Sequence, residues 1–219
     1  MKEFITDFEF KNNRNYVHST TMIEHLRVFV YEDFQHRDKW ELPKIDAKFH
    51  KEVLYNGKYL IAEDLSELPE SRTVSADFRF YDRNQSIYAV FIEDKAVNVV
   101  RRIKTNYSVE DIVMERDFCG TCKIGCPSSK AYVENMIEAN KRIHLLTLKE
   151  EKNGLKVINL YMKKFPFYPP VTSEEKAVMI RIENISIRYR EGSVATLNSL
   201  YFPQLVTERF EMAYVVEGL

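Results

Sequence analysis

The chain alternates between two hydrophobic periods. From Ser128 the apolar residues Tyr132, Met136, Ala139, Ile143 and Leu146, joined by Val133 and Ile137, recur at three- and four-residue steps. That spacing predicts a long helix burying one face, with Pro127 and the serines Ser128 and Ser129 at its start. On another face Lys130, Glu134, Glu138 and Arg142 fall four apart. They read as a solvated side, with ion pairs worth about 0.2–0.5 kcal/mol each. A second segment, His18 to Phe34, carries Met22, Ile23, Leu26, Phe29 and Val30 at helical spacing. Its LRVFVY run is also rich in strand formers, and the balance favours helix.

Most of the remainder alternates with period two and predicts strands. EFITDFEF, residues 3–10, reads as a first strand broken by KNNRN. QHRDKWELPKID reads as a loop. Lys48 to Tyr55 and Lys58 to Glu63 flank Asn56-Gly57 and predict a hairpin, because a type I′ turn needs positive φ at both central residues. A second hairpin brackets DRNQ between Val74 to Tyr81 and Ser86 to Ile92, with Ala96 to Lys104 continuing the meander. The second half repeats the order: a short strand over Val109 to Met114, a loop holding the cysteines, the long helix, then strands from Leu155 to Phe165, Ala177 to Arg190, Val194 to Phe202 and Phe210 to Val216. The turn at Asn153-Gly154 and the three prolines of FPFYPPVTSEE interrupt them, and Gly192 makes a further turn. In the longest strand the apolar face shifts by one residue near Glu183-Asn184, the mark of a bulge. Met-Ile-Glu occurs in both helices, at Met22 and Met136, half a chain apart. With the repeated element order this suggests an internal duplication, residues 1–105 and 106–219.

Composition narrows the functional classes. The 219 residues include 45% hydrophobic and 13% aromatic side chains but only 6 Gly, enough apolar volume for a sheet-rich core. The net charge of −1 gives no basic surplus for phosphate backbones, so nucleic acid is not an expected partner. No apolar run approaches the roughly 18 residues a membrane helix needs. MKEFITDFEF lacks the apolar core and cleavage site of a signal peptide, and a soluble cytoplasmic protein is expected. There is no G-x-S-x-G elbow, P-loop or dinucleotide-binding glycine motif.

The chemistry-bearing stretch is DFCGTCKIGCPSS. Its three cysteines, Cys119, Cys122 and Cys126, read C-x2-C-x3-C and are candidate zinc or iron–sulfur ligands. A closed site would need a fourth ligand from Asp117, a histidine or another subunit. Four of the five histidines, His18, His25, His36 and His50, lie in the first quarter of the chain. Redox or nucleophilic thiol chemistry and plain loop cysteines are the other readings. Cys126 beside a helix N-terminus is a candidate acyl acceptor.

FEFKNNRNYVHSTTMIEHL in the first half and SSKAYVENMIEANKRIH in the second carry a resemblance. Strand, loop, helix with an acidic residue near its middle, then antiparallel sheet, occurring twice, resembles the double hotdog fold of acyl thioesterases and dehydratases. Val17-His18, Ile23-Glu24 and Phe49-His50 are also similar to the N-terminal motif of the A-factor biosynthesis family, whose arginine–glutamine helix has no counterpart here. The fold implied is α+β, two hotdog-like repeats with antiparallel sheets each wrapping a long helix. The resemblance implies a thioesterase, dehydratase or acyl transferase of lipid metabolism acting on acyl-CoA or an acyl-carrier protein, with CoA or phosphopantetheine as part of the substrate. The helix N-terminus at Gly125, Ser128 and Ser129 would polarise the thioester carbonyl. Glu138, His18 and Glu24 would move protons. Glu138 pairing with Arg142, Glu24 pairing with Arg27 and His18 as a capping residue are the structural alternatives. A metal-binding or redox protein and a non-catalytic acyl- or lipid-binding module remain open at this point, and long edge strands such as Ala177 to Arg190 make a homodimer a further expectation.

Overall fold

The computed structural model describes residues 1–33, 44–125, 129–148, 156–166, 177–203 and 209–218. Its contacts divide the chain into two compact units, Met1–Asn106 and Tyr107–Leu219.

In the first unit the opening segment is two strands, β1 (Lys2–Ile5) and β2 (Glu9–Lys11), followed by helix α1 (Ser19–Asp33). Met22, Leu26 and Val30 are buried at four-residue steps, so the helical period outweighs the strand propensity of LRVFVY. The strands β3 (Lys44–Phe49), β4 (Tyr55–Ala62), β5 (Ala76–Tyr81) and β6 (Ser86–Asn98) join β1 in an antiparallel sheet ordered β1-β4-β6-β5-β3. β5 and β6 form the expected hairpin around DRNQ. The chain does not continue as a meander. Instead β7 (Arg101–Ile103) pairs parallel with β2 in a separate ribbon. Arg102 fastens that ribbon, donating to the carbonyls of Asn12 at 2.5 Å and Arg14 at 2.7 Å. Phe8 is fully buried against His25, Tyr59 and Phe91, with ring centroids 5.0, 6.2 and 5.2 Å away.

Asn56-Gly57 is not a hairpin turn. Both residues lie inside β4, which pairs with β1 and β6, while β3 pairs with β5. The β4–β6 register slips between Tyr55 and Gly57, and a Cβ on Gly57 would stand 2.1 Å from the Ile92 carbonyl oxygen. The glycine is there for close backbone approach at a bulge rather than for a positive φ. The asparagine accepts from Phe8 N at 2.6 Å and donates to the Asn98 carbonyl at 3.0 Å. Gly57 also exchanges hydrogen bonds with Thr6, from Gly57 N to Thr6 Oγ1 at 3.0 Å and from Thr6 N to Gly57 O at 2.9 Å.

The second unit holds β8 (Val109–Arg116), β9 (Cys119–Gly125), helix α2 (Ser129–Leu148), β10 (Lys156–Pro166), β11 (Ala177–Arg190), β12 (Ser193–Tyr201) and β13 (Arg209–Glu217). The sheet order is β10-β13-β12-β11-β9-β8. The expected bulge in the longest strand is present, between Asn184 and Ser186 against β12. The cysteine segment is a strand, not a loop, as far as Gly125: β9 pairs with β8 on one side and β11 on the other. A Cβ on Gly120 would lie 2.6 Å from the Val113 carbonyl oxygen, so this glycine too serves close strand pairing.

Helix α2 buries Tyr132, Met136, Ala139 and Ile143 as its period predicts, but Leu146 is half exposed. From Tyr132 to Ile137 it is enclosed all round, every residue of that stretch being buried. Glu134 is therefore buried as well, and the expectation of a uniformly solvated charged side fails there. Tyr132 packs near Phe165 of β10 at 5.9 Å, and Phe165 meets Phe210 of β13 at 5.0 Å. The Asn153-Gly154 turn, the segment FYPPVTSEE and most of the 35–46 loop lie outside the described residues. Among the described residues no helix is long and apolar enough to cross a membrane.

Gly57→Ala should destabilise the first unit by roughly 1–3 kcal/mol through forced displacement of the β4–β6 pair. Urea unfolding checks this, and an unchanged midpoint would contradict the close-approach account.

Candidate active site

The first unit places His18 directly ahead of α1. Its carbonyl oxygen accepts from Thr21 N at 2.9 Å and Met22 N at 3.2 Å, so the backbone of His18 satisfies two of the helix's opening N–H groups. The side chain turns to the same end. Nδ1 lies 2.8 Å from Thr20 Oγ1 and 3.4 Å from Thr20 N. Thr20 Oγ1 in turn lies 2.6 Å from Nζ of Lys11, the last residue of β2. Lys11 has no exposure at all, Thr20 is buried, and the His18 residue retains 9% of its surface. A buried ammonium, an imidazole and a hydroxyl thus meet where the helix dipole is positive. Such a place favours an anion or a developing negative charge.

Glu24, one and a half turns along α1, forms an ion pair with Arg27 on its own helix, as the structural alternative anticipated. His25 packs edge-on to Phe8. His50 Nε2 is 2.6 Å from Asp77 Oδ2 on β5, an exposed pair away from the helix start.

In the second unit Glu138 accepts from Arg142 Nε at 3.2 Å and stands 3.7 Å from Lys141 Nζ. Arg142 also donates to the Val109 carbonyl at 2.9 Å, so the pair ties α2 to β8. Gly125 is held at both backbone groups: its N–H donates to Ser108 O at 2.9 Å and its carbonyl accepts from Asn135 Nδ2 at 2.7 Å. Its N–H is thereby already paired. Ser129 is the first residue of α2, while Cys126 and Ser128 lie outside the described residues.

Cys119 and Cys122 are three apart on one strand, which sends their side chains to opposite faces. Both are buried and unbridged. Cys119 Sγ accepts from Asn184 N at 3.1 Å and Arg116 Nε at 3.3 Å. Burial pushes the Cys122 thiol up to about 12, against a smaller downward pull from Arg142, leaving it a neutral thiol. Among the described residues no three His, Cys, Asp or Glu side chains converge as a metal site.

The second unit has a buried polar cluster that the sequence reading passed over. His144 and Asn140 of α2 meet Thr196 and Asn198 of β12, all four buried. His144 Nδ1 lies 2.7 Å from the Asn140 carbonyl and must donate to it, so Nε2 is the acceptor facing the Thr196 hydroxyl. Asn198 Nδ2 donates to Thr196 Oγ1 at 3.2 Å. Phe118 and Tyr214 cover the ring at 5.2 and 5.5 Å. Burial lowers the His144 pKa to about 4, opposed only by the bond to Asn140. His144 is a neutral, fully engaged core residue. The available signal was polar residues at α2 positions that continue the buried stripe.

No family model matches the chain, and no curated protein matches it by sequence. Solved structures do match by shape. A structure described as an oleoyl thioesterase from Lactobacillus plantarum aligns over 99% of this chain and 96% of its own, with a TM-score of 0.52 and 9% identity. The dehydratase domain from the CurJ module of the Curacin polyketide synthase aligns over 98% of this chain and 90% of its own, with a TM-score of 0.52 and 10% identity. The chain has the hotdog fold. As in that fold, antiparallel strands dominate, with two helices among the described residues.

The folded pKa of His144 lies below its unfolded value of 6.5, so its stabilisation is complete above pH 6.5 and is lost as pH falls toward about 4. At the lower end the loss should approach roughly 3 kcal/mol. Urea melts at pH 7 and pH 5 should show the drop in the native protein and a shallower slope in His144→Gln. Equal slopes would mean that His144 is not held neutral.

Proposed function

We propose that this hotdog protein acts on an acyl thioester, carried on CoA or on the phosphopantetheine arm of an acyl-carrier protein. The observation that carries the reading is the cluster at the start of α1, where His18 is held by Thr20 and Thr20 by the buried Lys11. Attack on a thioester, or enolisation beside it, builds negative charge on the carbonyl oxygen. A helix N-terminus, an ammonium and an imidazole N–H in a water-poor setting stabilise that charge most strongly. His18 is the group that meets the substrate. Glu24 and Glu138 have structural ion-pair partners and stand behind it as candidates.

The two units are read as a duplicated hotdog repeat, residues 1–105 and 106–219, in which the first keeps the chemistry. The second carries Asn140, His144, Thr196 and Asn198 in a buried hydrogen-bonded cluster. The fold likeness to thioesterase and dehydratase structures supports the substrate class.

Assay of the purified protein against short-, medium- and long-chain acyl-CoA, with thiol release and double-bond formation followed separately, tests it. Turnover is expected with one chain-length class, and His18→Ala should reduce kcat/KM by about a hundred-fold or more. Full activity in that variant would remove His18 from the chemistry, and no turnover of any acyl-CoA or acyl-carrier thioester would contradict the reading.

A further inference from the structure

The hydrogen-bond order around His18 defines which form of the imidazole the first unit presents. We propose that Lys11 and Thr20 are positioning residues that hold His18 as the neutral tautomer with its proton on Nε2, so that it meets the thioester carbonyl as a hydrogen-bond donor and not as a base. This rests on the acyl-thioester reading for the identity of the acceptor, but the tautomer stands on geometry alone.

A lysine ammonium has three donors and no acceptor, so the 2.6 Å contact from Lys11 Nζ occupies a lone pair on Thr20 Oγ1. Thr20 Oγ1 keeps its proton and a second lone pair for its other short contact, 2.8 Å to His18 Nδ1, and the backbone N–H of Thr20 decides which of the two faces the ring. Thr20 N, at 3.4 Å, points a second and longer N–H toward the same nitrogen. Two donors converge on Nδ1, which is therefore the acceptor, and the ring's single proton resides on Nε2. A second ring proton would have to sit on Nδ1, facing the Thr20 hydroxyl that already carries the Lys11 ammonium. The positive end of α1, whose Thr21 and Met22 N–H groups cap on His18 itself, opposes the same charge.

The arrangement explains a feature otherwise costly to the fold. A lysine without exposure requires its ammonium to be hydrogen-bonded, and a leucine or methionine there would fill the same space without that demand. The chain also spends three consecutive hydroxyl residues, Ser19, Thr20 and Thr21, all buried, on the first turn of α1. Thr20 is the one placed between lysine and histidine. The consequence for the reaction is that His18 supplies an N–H to the carbonyl oxygen from the outset. Any proton abstracted from water or from carbon goes to another group.

Long-range proton–nitrogen correlation spectra of the full chain, with histidine ring signals assigned by single substitution, read the tautomer directly. At neutral pH His18 should show the Nε2–H pattern. Thr20→Ser should keep it and should keep kcat within about three-fold, whereas Thr20→Val should give mixed tautomers and a kcat lowered about ten-fold or more with KM changed little. Lys11→Met, which removes the ammonium from the Thr20 hydroxyl and leaves both of its lone pairs open to a ring N–H, should introduce an Nδ1–H population and serves if the valine variant does not fold. An Nδ1–H or doubly protonated ring in the native protein would overturn the proposal, as would an Nε2–H signal unmoved in both variants. Because the spectra need no substrate, absence of acyl-CoA turnover leaves this result readable and counts against the acyl-thioester reading alone.

Discussion

A buried ammonium has to be hydrogen-bonded, and much of the first unit's local order follows from that requirement at Lys11. The lysine ends β2, a three-residue strand paired with β7, and its Nζ reaches Thr20 in the first turn of α1. Strand and helix are thereby joined by a bond in a poorly solvated place, where hydrogen bonds to a charge are strong. Arg102, bonded to the carbonyls of Asn12 and Arg14, holds the connecting backbone from the β7 side. Phe8, bonded through its N–H to Asn56, holds it from the sheet side. Next to His18 itself, Val17 N donates to the Val53 carbonyl at 2.7 Å.

The second unit obeys the same rule with a different result. Asn140, His144, Thr196 and Asn198 bond to one another across α2 and β12, under two aromatic rings, while Asn140 Nδ2 is buried without a partner among the described residues. Hydrogen bonds of this kind in a poorly solvated core favour one packing of the groups that make them. The two units therefore use buried polarity differently. One presents a charged group at a helix start, and the other joins neutral polar groups in its core.

The sequence was legible where one physical cause controlled the pattern. The one-residue slip in apolar alternation near Glu183 marked a bulge that the β11–β12 register shows, and the helical period at Met22, Leu26 and Val30 marked α1. It misled where one residue type serves two causes. Asn56-Gly57 and Cys119-Gly120 were read as turn and loop, yet both glycines sit in strands because a neighbouring carbonyl leaves no room for a Cβ. Lys11 was hidden in KNNRN, since a lysine in a polar run looks solvated until the chain folds it under a helix. His18 was visible as a candidate, but Thr20, the residue that orients it, carries no signal beyond being a threonine near a helix start.

The central claim is that an acyl thioester is received at the start of α1. Backbone amide shift mapping with a non-hydrolysable thioether analogue of acyl-CoA addresses it without relying on turnover. The account predicts saturable shifts concentrated at His18, Ser19 and Thr20, together with a change in the His18 ring nitrogens. Saturable binding whose shifts leave those residues untouched would contradict it.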